Sequence, residues 1–243
     1  MWQDNLTVNA QAKQIYNDGL RQYMLKVYNY MTAGLLITAL TAFLAINTSL
    51  INLFFDVNET NQVIGMSAFG WIAMLSPLFL VFAFNWVAFK GNIAQAQMVY
   101  WAFSALMGVS IAPVLIIYTG ASVTRIFLIT AAMFGSMSIY GYTTKKDLSS
   151  IGSFMIMGLW GIIIASIINI FLKSPGLYYA LSIISVLVFT VLTAADTQKI
   201  RTIYAESDSS EHASKKAIFG ALALYLDFIN MFLALLRLFG DRR

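Results

Sequence analysis

The chain has 243 residues, 59% of them hydrophobic and only 11% charged, where a soluble domain carries about 25% charged residues; a soluble globular domain is excluded and an integral membrane protein indicated. The net charge of +4 does not indicate nucleic-acid binding, because Lys and Arg sit mostly at the ends of apolar runs and form no basic stripe. Cysteine is absent and His212 is the single histidine, which excludes disulfides, thiolate chemistry, His-cluster metal sites and His-based triads.

The opening stretch, MWQDNLTVNAQAKQIYNDGLRQYMLK, is polar and lacks the basic-then-apolar order of a targeting segment. It reads as a polar cytoplasmic segment, 1–26, ahead of a transmembrane domain, 27–243. A span needs about 20 apolar residues. Seven runs qualify, at roughly 27–48, 66–89, 95–118, 124–142, 151–172, 177–198 and 216–238. The fold class is therefore all-α, a polytopic seven-transmembrane-helix bundle. Short connections make it compact; the long gaps are 49–65 and the hydrophilic 199–215. No internal repeat is visible, which weighs against an inverted-repeat transporter.

Lys and Arg counts set the orientation. A cytoplasmic N-terminus puts ten of them inside and five outside. Three of those five, Arg237, Arg242 and Arg243, follow the last run. A re-entrant last run would make the count thirteen against two, but the length of 216–238 favours a full crossing.

Small residues recur at spacing four in Ser104, Gly108 and Ala112, in Ala131 with Gly135, and in Gly161 with Ala165. Such spacing lets membrane helices approach closely, and packing is the expected role. Pro77 and Pro113 fall inside spans and are expected to kink them. Trp71, Trp86, Trp101, Tyr118 and Tyr142 lie near span ends, as interfacial anchors do.

Two carboxylates stand out. Asp227 lies in the middle of ALALYLDFINMFLALL, and Asp196 near the end of VLVFTVLTAADTQK. Ionisable residues inside membrane spans are expensive and usually functional. Stepping back from Asp196 by three and four gives Thr193, Phe189, Ser185 and Ser182, a polar stripe that ends in a carboxylate. The same steps from Asp227 give Gly220, Ala223, Asn230, Ala234 and Arg237. Two such faces should turn toward each other. Carboxylates in close contact share a proton and titrate as a unit, and when both are ionised they are hard oxygen ligands for Ca²⁺. Asp196 and Asp227 are thus the candidate pH sensor, pore element and calcium-contacting residues. Ser182, Ser185, Thr193 and Asn230 are the candidate pore lining. Asn85 and Asn169 read as interhelical glue, and His212, in ESDSSEHASKK, as a solvated loop histidine. No P-loop, nucleophile elbow, HExxH or dinucleotide fingerprint occurs, so an enzyme is not expected and no cofactor is called for.

Several stretches resemble the bacterial branch of the Bax inhibitor-1 family, the transmembrane Bax inhibitor motif proteins. They are YMLKVYNYMTAGLLITALTAF, SALMGVSIAP, MSIYGYTTKKDLSSIGSFMIMGLWG, AADTQKI and LALYLDFINMFLALLRLFG. The resemblance covers about residues 20–240. It implies a seven-helix bundle with the last helix central and a pH-sensitive calcium leak in the bacterial inner membrane. It also implies a sensor pair at the positions of Asp196 and Asp227. The implied partners are the lipid bilayer, calcium ions and protons. Some bacterial relatives are linked instead to regulating a membrane-anchored ATP-dependent protease, so a non-conducting regulator is the alternative. Proton-coupled transport is a third reading. One departure is evident. The family's arginine in span two, which latches an aspartate, has no counterpart in GMSAFGWIAMLSPLFLVFAFNWVAFK, where only Lys90 at the end is cationic.

Overall fold

The computed structural model describes residues 2–48, 51–58 and 63–243, with side chains from Tyr16 onward except those at 51, 55, 57, 63, 64, 66, 74, 83 and 85–90. Helix α1 (Trp2–Asn47) leads into a short α2 (Ile51–Phe54), then α3 (Ala68–Lys90), α4 (Ile93–Ile117) and α5 (Gly120–Thr143). Helices α6 (Ser149–Leu172), α7 (Pro175–Thr202) and α8 (Ser210–Phe239) complete the chain. Six of them are long and apolar enough to cross a membrane among the described residues. Helix α3 has 23 residues, of which Ala68–Phe82 forms its described apolar part. With no water to satisfy backbone N–H and C=O groups in a bilayer, long helices are the expected solution.

The structure adds detail to the sequence reading in several places. The boundary expected at residue 26 falls inside α1, which is continuous from Trp2. The gap 49–65 holds α2 and a small antiparallel ribbon, β1 (Phe55–Val57) with β2 (Val63–Met66), in an otherwise helical chain. Pro77 lies inside α3 and Pro113 inside α4, as the span reading places them. Tyr118 is no lipid-facing anchor, since it is buried beneath the C-terminal tail. Trp71 is exposed, as an anchor would be. The side chains of Asn85, Trp86 and Lys90 lie outside the described residues.

Helix α8 packs against α1, α4, α5 and α7. In its most apolar stretch 72% of residues are buried, against at most 39% in the other spans. Helix α6 packs on α7 and has none of that stretch buried, so it faces outward. The last helix is long and apolar enough for a full crossing. Its 30 residues rise about 45 Å, and its two ends are fixed to opposite ends of the bundle. At the first end Tyr204 packs against Tyr16 and Tyr23, each at 5.5 Å between ring centres, and Lys26 donates to Ser214. At the other end the tail pairs with the α4–α5 turn. Thr119 N donates to Asp241 O, Arg243 N donates to Ile117 O, and Arg125 forms an ion pair with Asp241. Arg237, Arg242 and Arg243 therefore lie opposite the 203–209 loop.

Small-residue packing holds on α4. Ser104, Gly108 and Ala112 are buried against α1. A Cβ at Gly108 would lie 1.9 Å from Thr41 Oγ1 and 2.3 Å from the Thr38 carbonyl, so only glycine fits. The same expectation fails on α5 and α6, where a Cβ at Gly135 or Gly161 would meet nothing within 4 Å.

Two predictions follow from these contacts. Gly108→Leu lowers the melting temperature of the detergent-purified protein by the equivalent of about 1–3 kcal/mol or more, the cost of overpacking, while Gly161→Leu leaves it unchanged. The second concerns Asp208, whose Oδ2 lies 2.6 Å from Lys216 Nζ. That hydrogen bond holds the carboxyl below its ordinary range. A depressed carboxyl adds stability that is complete above its unfolded range and is lost as pH falls through its folded one. Asp208→Asn therefore lowers the melting temperature at neutral pH by a few degrees at most, the pair being partly solvated, and matches wild type in acid.

Candidate functional site

Asp227 sits in α8 with 4% of its surface exposed. Its Oδ2 is buried without a hydrogen-bond partner. Asp196 sits in α7, half-buried, close enough for the two carboxylates to act on each other electrostatically. The antiparallel packing of α7 on α8 brings them together; Ile200 against Gly220 marks the register toward one end of the contact. Lys199, one turn from Asp196, is the cation that acts on it. Among the described residues neither aspartate forms an ion pair.

Two cavities lie along the contact of α7 with its neighbours. Asp196 lines one of 290 Å³ between the α5–α6 turn, the start of α6 and the end of α7, with Asp147, Ser149, Ser153, Gln198 and Lys199. Asp147 accepts hydrogen bonds from Ser149, which hold its carboxyl below the usual range. A second cavity, of 310 Å³, is lined by Ser166 on α6, Ser185 and Phe189 on α7, and Asn230, Ala234 and Arg237 on α8. Asn230, Ala234 and Arg237 continue the face of α8 that carries Asp227, at the steps of three and four read from the sequence. Asp227 thus lies between Asp196 and the second cavity.

The candidate lining residues divide. Ser185 and Asn230 meet in the second cavity. Ser182 and Thr193 are buried and donate to the carbonyls of Tyr178 and Phe189, one turn back in their own helix. Ser185 also bonds back, to Leu181 O, and Asn230 to Leu226 O. These helical back-bonds satisfy polar side chains locally. Among the described residues no group of three or more His, Cys, Asp or Glu converges. Asn169 accepts from Ser174 N across the α6–α7 turn. His212 Nδ1 lies 2.9 Å from Ser209 Oγ at the start of α8.

Sequence reasoning missed two contributors. Gln198 clamps the α5–α6 turn, accepting from Leu148 N and donating to Lys146 O. That turn then carries Asp147 to the rim of the Asp196 cavity. Both pairings are between residues about 50 positions apart, and no local pattern marks them. The second is a buried polar link beside the site. Thr38 Oγ1 donates to the carbonyls of Gly34 and Ser104, so Tyr225 must donate to it, at 2.6 Å.

Six membrane-length helices, with an unpartnered carboxylate in the most buried of them, define a polytopic helical membrane protein. The chain matches the family model described as inhibitor of apoptosis-promoting Bax1 over residues 20–243, and it belongs to the Bax inhibitor-1 family. It is 44% identical over 229 residues to the inner membrane protein YbhL of Escherichia coli K12, covering 93% of this chain and 94% of that protein. It is also 44% identical over 238 residues to RP147 of Rickettsia prowazekii, covering 98% and 97%. YrjE of Lactococcus lactis is 38% identical over 224 residues, covering 92% of each.

Proposed function

We propose that this protein is a pH-sensitive, calcium-permeable leak pathway of the bacterial inner membrane, built as seven spans around the last helix. Cations cross along the seam of α6, α7 and α8, and Asp196 and Asp227 form the sensor and constriction. The observation that carries this reading is Asp227, a buried carboxylate with a free oxygen between Asp196 and a cavity toward the other end of the helix. A charge in that position is costly unless something neutralises it. A proton and a divalent cation are the two candidates. Calcium takes six to eight oxygen ligands, and two carboxylates are too few to trap it, which suits an ion in passage.

The inner-membrane location rests on the printed name of the Escherichia coli relative. The cytoplasmic placement of the N-terminus rests on the Lys and Arg bias. Helix α1 starts at Trp2 and extends well beyond the length a span needs, so it also offers a handle for a membrane protease in the non-conducting alternative.

Calcium flux in liposomes, recorded between about pH 6 and 8, tests the leak. Wild type conducts with a pH-dependent rate, Asp227→Asn loses the pH dependence, and Asp196→Asn shifts it. Equal flux and pH profile in both variants would remove the pair from the mechanism. Absence of flux in folded wild type at every pH would leave the regulator reading.

Arg237 supplies a second check. It holds a fixed positive charge at the wall of the second cavity and lies 5.8 Å from the centre of the Tyr178 ring. Arg237→Gln should raise calcium flux severalfold, most at low ionic strength where screening is weak. An unchanged flux would place the path elsewhere.

A further inference from the structure

Helices α1 and α5 both pack on α8, and between them runs a groove of 470 Å³ outside the proposed ion path. Met24, Phe134 and Ile139 form its apolar walls. Gly135 leaves its floor open, since a Cβ there would meet nothing within 4 Å. The hydroxyls on its wall are already paired. Tyr28 lies 2.6 Å from Ser138 Oγ, which lies 3.1 Å from Thr197 Oγ1. The groove therefore offers a chain-shaped apolar space with no demand for a polar guest along its length.

One end is different. Arg21 and Tyr142 line it. Arg21 is exposed and has no carboxylate partner among the described residues; Asp18, one turn back, forms no ion pair with it. Arg201 donates to the Tyr142 carbonyl and lies 6.0 Å from the centre of its ring. Lys145 and Lys146 follow in the α5–α6 turn. Apolar walls that end at the Arg21 guanidinium, with Arg201 held on Tyr142 at the same end, match a molecule with a long hydrocarbon chain and an anionic head. Arginine in particular presents a fork of donors suited to phosphate.

We propose that the α1–α5 groove binds one anionic phospholipid, its acyl chain lying over Gly135 and its phosphate held by Arg21. The site is independent of the leak reading.

Native mass spectrometry of the detergent-purified full chain tests it, with phosphatidylglycerol and phosphatidylcholine of identical chains added separately. Wild type should retain phosphatidylglycerol ahead of phosphatidylcholine. Arg21→Gln should retain about fivefold less phosphatidylglycerol, the effect of one interfacial cation, with phosphatidylcholine unchanged. Gly135→Leu, which fills the floor without touching backbone, should lose both lipids, and Ile139→Trp serves if that variant melts early. Equal phosphatidylglycerol retention in wild type and folded Arg21→Gln overturns the proposal. So does a folded groove-filled variant that keeps its lipid, or one that changes only its oligomeric mass, which would make the groove a contact between copies of the chain.

Discussion

Burying one oxygen of Asp227 without a partner is the constraint on which the rest of this structure depends. A polar group removed from water and left unbonded costs several kcal/mol in an apolar medium, and an ionised one far more. In a soluble protein a helix bearing such a group would slide or tilt until water reached it. Helix α8 cannot. Lys216 with Asp208, and Tyr204 against α1, hold its beginning. The tail ribbon and the Arg125–Asp241 pair hold its end. Near the middle, half a turn from Asp227, Tyr225 bonds Thr38 on α1. The position of Asp227 is therefore fixed by contacts that have no chemistry of their own.

Most other polar side chains of the spans follow the opposite rule, the Tyr23 hydroxyl on α1 being the second buried atom without a partner among the described residues. Serine and threonine hydroxyls on α4, α5 and α7 return to their own helix carbonyls. Others link two helices, as Ser138 does between Tyr28 and Thr197. Such bonds are the expected glue between helices that lack a hydrophobic drive to associate in lipid. Against this background the free oxygen of Asp227 is a departure, and of the two unpartnered atoms it is the one that belongs to an ionisable carboxyl within the most buried helix.

Much of this was legible in the sequence, for a physical reason. A span is a property of about 20 consecutive residues, so the long helices after α1 could be placed to within a turn or two. A charge within such a run is visible without any structure, which is how Asp196 and Asp227 were found. Gly108 was legible as a contact, but Gly135 and Gly161, with the same spacing, were not distinguishable from it. Spacing shows that a helix can be approached closely and says nothing about whether a neighbour does so. The continuity of α1 was hidden because its first half is polar, and only the apolar run from residue 27 was read as a span. Asp147 and Gln198 were hidden because the turn they build depends on pairing at long range. Ser182 and Thr193 were read as lining because the stripe gives direction but not partners. Their hydroxyls prove to be used one turn back.

The arrangement of cavities bears on how a leak can be selective without being a strong binder. Conduction needs a site favourable enough to enter and weak enough to leave. On the proposed reading Asp196 stands at a polar cavity with Asp147 at its rim, where a hydrated cation can exchange water for carboxylate oxygens step by step. Asp227 lies deeper, with hydrophobic neighbours such as Phe228 and Leu224 buried beside it. An ion there must be nearly bare, and the only repayment is one carboxylate and its partner on α7. The pair therefore acts as a barrier with an attractive centre, so that small changes in its proton content alter the height of the barrier more than the affinity of the cavities. A pathway of this kind passes little current at rest. That is the behaviour expected of a leak in a membrane whose ion gradients the cell must keep.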